Sequence, residues 1–176
     1  MIELEPLNGD YYFHRGIAES NLGNYPDAIA DHTTAIELYP QEAICYFDRG
    51  NAKFNLGNYL DAIADHTIAI ELNSQDADYY HSRGNAKFNR GDYLDAIADH
   101  TIVIELNSQD ADYYHSRGNA RYKIGDYLDA IADFTIAIEL NSQDANYYHS
   151  RGNARYKIGD YQGTLNDYNQ AVDLNH

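Results

Sequence analysis

The chain has 176 residues, 44% of them hydrophobic and 18 of them tyrosine, with a formal net charge of −16. Such a composition suits a soluble, folded chain; no apolar run reaches the length of a membrane span or a secretory segment, and the acidic balance argues against nucleic acid or an anionic membrane as partner. With no membrane span or secretory segment a cytoplasmic location is expected by default, and the single cysteine, Cys45, rules out an internal disulfide framework and reads as a packed thiol.

After a short leader, residues 1–8, the chain repeats itself every 34 residues: HSRGNAKFNRGDYLDAIADHTIVIELNSQD from His81 returns as HSRGNARYKIGDYLDAIADFTIAIELNSQD from His115. A period of this size marks a stacked array of supersecondary units. The glycines Gly16, Gly50, Gly84, Gly118 and Gly152 set five units in register, 9–42, 43–76, 77–110, 111–144 and 145–176, with no insertion. In the third unit, Asp76 is predicted to cap a helix through Tyr79, Tyr80, Ala86 and Phe88, and Gly91 to close it in a left-handed conformation. Asp92 is predicted to cap a second helix whose apolar side is Ala96, Ile97, His100, Val103 and Ile104, spaced at three and four residues. Two short amphipathic helices cannot bury a core alone, so the units are expected to lean on one another as a single array.

Across the units Gly recurs at repeat positions 8 and 15, Tyr at 17, Ala at 20 in four of the five, an aromatic residue or His at 24, a small residue at 27 and Leu at 30. This set resembles the tetratricopeptide repeat (TPR), over essentially the whole chain after the leader. The resemblance implies an all-α fold, a right-handed superhelical solenoid of five helix–turn–helix repeats. Three departures stand out: position 7 is Arg in every unit, position 32 is Pro only at Pro40, and position 24 is His in the first three units.

The resemblance also implies that positions 2, 5, 9, 12 and 13 of the first helices line a concave groove. Position 9 reads Ile17, Asn51, Asn85, Asn119 and Asn153, and a row of carboxamides offers the donors and acceptors that an extended peptide backbone needs. The alternative is a solvated row. The groove starts apolar, with Phe13, Ile17, Ile44, Phe47 and Phe54, and continues with Asp78, His81, Phe88, Asp112, His115, Tyr122, Lys123, His149, Tyr156 and Lys157. That order suits a protein or peptide partner with one hydrophobic anchor, although the first unit's apolar residues could instead cover an open end or meet the leader. The carboxylate clamp with which some family members hold chaperone tails is not matched. Its position 5 Lys is here Phe13, Phe47, His81, His115 and His149, and the cationic pair of its third unit is Asp78 and Ser82.

His32, His66 and His100 lie one repeat apart, on helices whose axes are at best roughly 8–10 Å apart, too far for ligands that each sit about 2 Å from one zinc. They read as core residues standing for the aromatic found at Phe134 and Tyr168, and no metal or cofactor is expected. Arg15, Arg49, Arg83, Arg117 and Arg151 read as structural, with packed stems and guanidinium groups reaching the position 23 Asp. Acids of the second helix such as Asp95, Asp99 and Glu105 read as a solvated face.

On the second helix, positions 18, 22 and 26 fall within about 80° of one another at roughly 100° per residue. They carry Leu60, Ala64 and Ile68, then Leu94, Ala98 and Ile102, then Leu128, Ala132 and Ile136, a candidate apolar patch on the convex face. The alternative there is that Leu leans into the next repeat and only Ile is exposed. No nucleophile–base pair or phosphate loop breaks the repeat pattern, so no enzyme is expected. The leading expectation is a protein–protein interaction adaptor that binds an extended peptide. The rivals are a homo-oligomeric scaffold using open solenoid ends or the convex patch, and the non-catalytic repeat domain of a larger protein.

Overall fold

The computed structural model describes residues 8–175, so what the sequence suggests for the leader lies outside the described residues apart from Asn8. Among the described residues every regular element is a helix: α1 (Gly9–Asn21), α2 (Tyr25–Leu38), α3 (Ala43–Asn55), α4 (Tyr59–Leu72), α5 (Ala77–Arg90), α6 (Tyr93–Leu106), α7 (Ala111–Ile124), α8 (Tyr127–Leu140), α9 (Ala145–Lys157) and α10 (Tyr161–Leu174). None of them is long and apolar enough to cross a membrane. The helices group into two compact units, Met1–Ala86 and Lys87–His176, with the division inside α5.

The turn between the helices of each pair rests on the glycine at position 15. Gly57 and Gly125 hold φ at 78° and 91°, a region that costs an L-residue with a side chain roughly 1–2 kcal/mol. The glycine at position 8 has a different task, close approach. A Cβ on Gly50 would stand 2.5 Å from the His66 ring, and one on Gly118 would stand 2.6 Å from the Phe134 ring. Only a bare backbone lets the second helix press its position 24 ring against the first.

In the first unit, Ala35, Ile36 and Cys45 form one cluster with Tyr12, Phe13 and Tyr46, and Ala69, Ile70 and Tyr79 form the next with Phe47 and Tyr80. The second unit repeats the scheme. Ala111, Tyr114, Ala137, Ile138 and Tyr147 pack together, and Ala130, Phe134 and Ala154 make a neighbouring cluster with Tyr122. His32, His66 and His100 are fully buried, as expected of residues that stand where other units carry an aromatic ring. Cys45 is buried too, and that burial pushes its thiol up to about 11.

The acids at position 23 correct the solvated-face reading: Asp99 is 2% exposed and Asp133 is 1% exposed. The reason is a pair of cations on the preceding helix. Arg117 Nε and Nη2 donate to the two Asp133 carboxylate oxygens at 3.0 and 2.7 Å, and Arg121 Nη1 donates to Oδ2 at 2.8 Å. Arg151 and Arg155 hold Asp167 in the same manner, Arg49 and Lys53 hold Asp65, and Lys87 reaches Asp99. A third guanidinium nitrogen stitches one repeat to the one before it. Arg49 Nη1 donates to Thr33 Oγ1 at 3.2 Å, and Arg151 Nη1 donates to Thr135 Oγ1 at 3.2 Å. Each Arg also lies over the Tyr three residues earlier, as Arg117 does over Tyr114 at 5.9 Å.

Asp76 caps α5 as predicted, accepting from the Asp78 backbone N–H at 3.0 Å. Asp92 holds the N-cap position of α6 but makes no cap bond through its side chain; its carboxylate pairs with Arg90 Nε at 2.9 Å.

Candidate functional site

The carboxamides at position 9 do not behave alike, because what each can do depends on the ring opposite it at position 24. In the first unit, Asn51 Oδ1 lies 3.2 Å from His66 Nε2, and Asn85 Nδ2 lies 3.3 Å from His81 Nε2. In the second unit, the Tyr168 hydroxyl donates to Asn153 Oδ1 at 2.7 Å. Facing Asn119 is Phe134, which has nothing to donate, and Asn119 Oδ1 has no hydrogen bond among the described residues. Its Nδ2 lies 3.3 Å from His115 Nε2, which is also 2.9 Å from Ser150 Oγ. Burial holds the His115 pKa below the ordinary histidine value, with Asp112 and Asp144 opposing. Asn51 and Asn153 therefore anchor core rings, a duty that the sequence alone does not reveal.

A cavity of about 170 Å³ opens where these groups meet in the second unit. Phe134 and Phe88 supply apolar walls, while Asn119, Asn153, Ser150, Tyr122 and Lys123 bring carboxamide, hydroxyl and ammonium groups to it. Five of these seven, Phe88, Asn119, Tyr122, Lys123 and Asn153, are among the groove residues drawn from the sequence. Phe134 and Ser150 are not. Phe134 belongs to α8 and enters only because Gly118 lets its ring through, and Ser150 enters through its contact with His115.

The remaining groove candidates lie elsewhere. His149 lines a different cavity beside Tyr168 and Val172, whereas exposed Tyr156 sets its ring against Tyr161 at 5.7 Å and Lys157 is exposed. In the first unit Phe47 is committed to packing, with its ring 5.7 Å from His66 and 4.8 Å from Tyr79, and Phe54 leans on Tyr59 at 5.4 Å. Phe13 packs against His32 at 5.8 Å and borders a cavity of about 430 Å³ with Ile44, Cys45 and Tyr39.

The patch drawn on the second helices is altered in the structure. Leu60 on α4 is 63% exposed, and Leu94 on α6 and Leu128 on α8 are each 71% exposed. Ile68, Ile102 and Ile136 are half-buried, and Ile136 packs against the cluster that contains Ala137 and Tyr147. Position 26 is thus partly covered and position 18 is left in solvent, the reverse of the alternative in which Leu is covered.

Comparison with known proteins agrees with this architecture. Residues 47–111 match the family described as tetratricopeptide repeat and residues 118–159 the one described as TPR repeat, together more than half of the chain. The chain belongs to the tetratricopeptide repeat family. No curated protein matches it. Among solved structures, MamA residues 41 to the end from Desulfovibrio magneticus RS-1 superposes with a TM-score of 0.91 at 16% identity, covering 95% of this chain and 94% of that one. A second MamA structure gives 0.86 at 22% identity, with 91% and 94% covered. YrrB, described as a TPR protein with an unusual peptide-binding site, gives 0.81 at 18% identity, with 95% and 86% covered. At these identities the likeness establishes the fold, a tandem array of helix–turn–helix repeats.

Proposed function

We propose that the chain is a non-catalytic, cytoplasmic adaptor that holds an extended peptide segment of a protein partner. The observation that carries this reading is the second unit's cavity, lined by Asn119 and Ser150 together with the apolar ring of Phe134. An extended peptide needs that mixture: carboxamides for its main chain and an apolar recess for one anchoring side chain. YrrB, a neighbour in fold, is described as having a peptide-binding site, which adds support.

Peptides selected from a random displayed library would be measured by calorimetry against the chain and two variants. Asn119→Ala removes the open carboxamide. Phe134→Tyr supplies a hydroxyl that captures Asn119 Oδ1, as Tyr168 captures Asn153 Oδ1. Each variant should weaken binding by about 1 kcal/mol, the usual worth of one hydrogen bond. Failure to select any peptide, or unchanged affinity in both variants, refutes the reading.

A further inference from the structure

We infer that the exposed face of α10 is a docking site for the α1 helix of a second copy of this chain, so that copies join head to tail. The occupant is identified by the chain itself, because the same joint is already made once in the second unit. There the Tyr147 ring of α9 sits on Ala111, Ala137 and Ile138, 5.0 Å from the His115 ring, and its hydroxyl donates to Asp112 Oδ1 at 2.6 Å. Arg151 Nη1 completes the joint by donating to Thr135 Oγ1.

One repeat further on, the receiving half recurs with no helix upon it among the described residues. Ala145, Ala171 and Val172 take the places of Ala111, Ala137 and Ile138, with Asn146, His149 and Asn169 for Asp112, His115 and Thr135. Val172 is 54% exposed where Ile138 is 9% exposed, and a cavity of about 400 Å³ stands over it, bordered by Ala145, Asn146, His149 and Ala171. Asn146 and Asn169 each carry an oxygen that can accept what Asp112 and Thr135 accept.

The entering half recurs on α1. Tyr11 holds the place of Tyr147, yet is 74% exposed where Tyr147 is 3% exposed. Arg15 holds the place of Arg151: its Nε and Nη2 donate to Asp31 just as Arg151 donates to Asp167, and its Nη1 has no acceptor among the described residues. Its side chain is 63% exposed, against 13% for Arg151. A joint between unlike faces leaves each end of an open assembly able to add a further copy, so growth continues past a pair unless the rotation per copy closes a ring.

Sedimentation of the 176-residue chain over a concentration series at about 0.15 M salt, where screening shortens the reach of the −16 charge to about 8 Å, reads the association directly. The mean mass should rise with concentration above 20.0 kDa and past that of a pair. Tyr11→Glu and Val172→Glu, both at exposed positions, should each stay monomeric with unchanged melting. An equimolar mixture of the two should form pairs and stop there, because each variant keeps one intact face. A wild-type chain that stays monomeric, a Tyr11→Glu variant that associates like wild type, or a mixture that stays monomeric overturns the inference. So does association that Leu128→Gln removes and Tyr11→Glu does not, which would place the contact on the outer face of α8.

Discussion

His66 is buried, neutral and pressed against Gly50, and that makes it a source of acid sensitivity. Burial lowers its pKa from 6.5 to about 4, with Asp65 opposing and Arg83 and Lys53 adding to the effect. The unfolded chain, with an ordinary histidine near 6.5, takes up its proton first. Stability from this residue is therefore fully present above about pH 6.5 and is lost as pH falls toward 4. At about 1.4 kcal/mol for each pH unit across that window, the whole effect is about 3 kcal/mol, and about 2 kcal/mol of it falls between pH 7 and pH 5. His66→Phe abolishes the titration, and the fourth repeat shows that the replacement fits, since Phe134 packs on Gly118 as His66 packs on Gly50. Urea titrations of both proteins at pH 7 and pH 5 isolate the difference, because carboxylate titration is common to them. The wild type should lose about 2 kcal/mol more than the variant on acidification. Equal losses would refute the reasoning and mean that the buried ring reaches a proton-stabilising partner.

Gly118→Ala should destabilise by about 1–3 kcal/mol in urea unfolding, since the new Cβ would stand 2.6 Å from the Phe134 ring and overpacking exceeds the helix-propensity gain; a stabilised variant would contradict the close-approach account. Arg151→Met should cost about 3 kcal/mol or more in the same assay by leaving Asp167 buried with Arg155 alone. Arg15→Met should cost far less, as that guanidinium is largely in solvent; equal losses would refute the burial argument. Cys45, with its thiol pushed up to about 11, should resist alkylation at pH 8 in the folded chain and react promptly in urea.

The 34-residue register, the glycines and the helix pairs were legible because they depend on neighbours in sequence: a turn needs its glycine at Gly57, and an amphipathic helix shows its period within 14 residues. What was not legible depends on a partner in the other helix of the pair. Asp99 looks like any surface acid until Lys87, 12 residues earlier, is seen to reach it from α5. Asn51 and Asn153 look like groove residues until the rings of His66 and Tyr168, 15 residues later, are seen to claim their oxygens. Ser150 and Phe134 belong to the cavity only because His115 and Gly118 bring them there. For Asn51 and Asn153 the partner lies at position 24 of the same repeat, and neither column by itself shows that the two side chains meet.

The pairing of positions 9 and 24 explains why repeats so alike need not act alike. Where position 24 carries a polar ring and position 9 an Asn, the two can satisfy each other, as His66 with Asn51 and Tyr168 with Asn153. The first repeat breaks the pair from one side: Ile17 replaces Asn, and among the described residues neither ring nitrogen of buried His32 has a partner. The fourth breaks it from the other side, with Phe134 offering no donor and Asn119 keeping an open oxygen. The first break strands its polar atoms in the core, where an unmade hydrogen bond costs about 1–3 kcal/mol. The second falls on a residue that lines a cavity, where water or a ligand can reach its side chain. The proposed site therefore centres on Asn119 rather than running evenly along the Asn row.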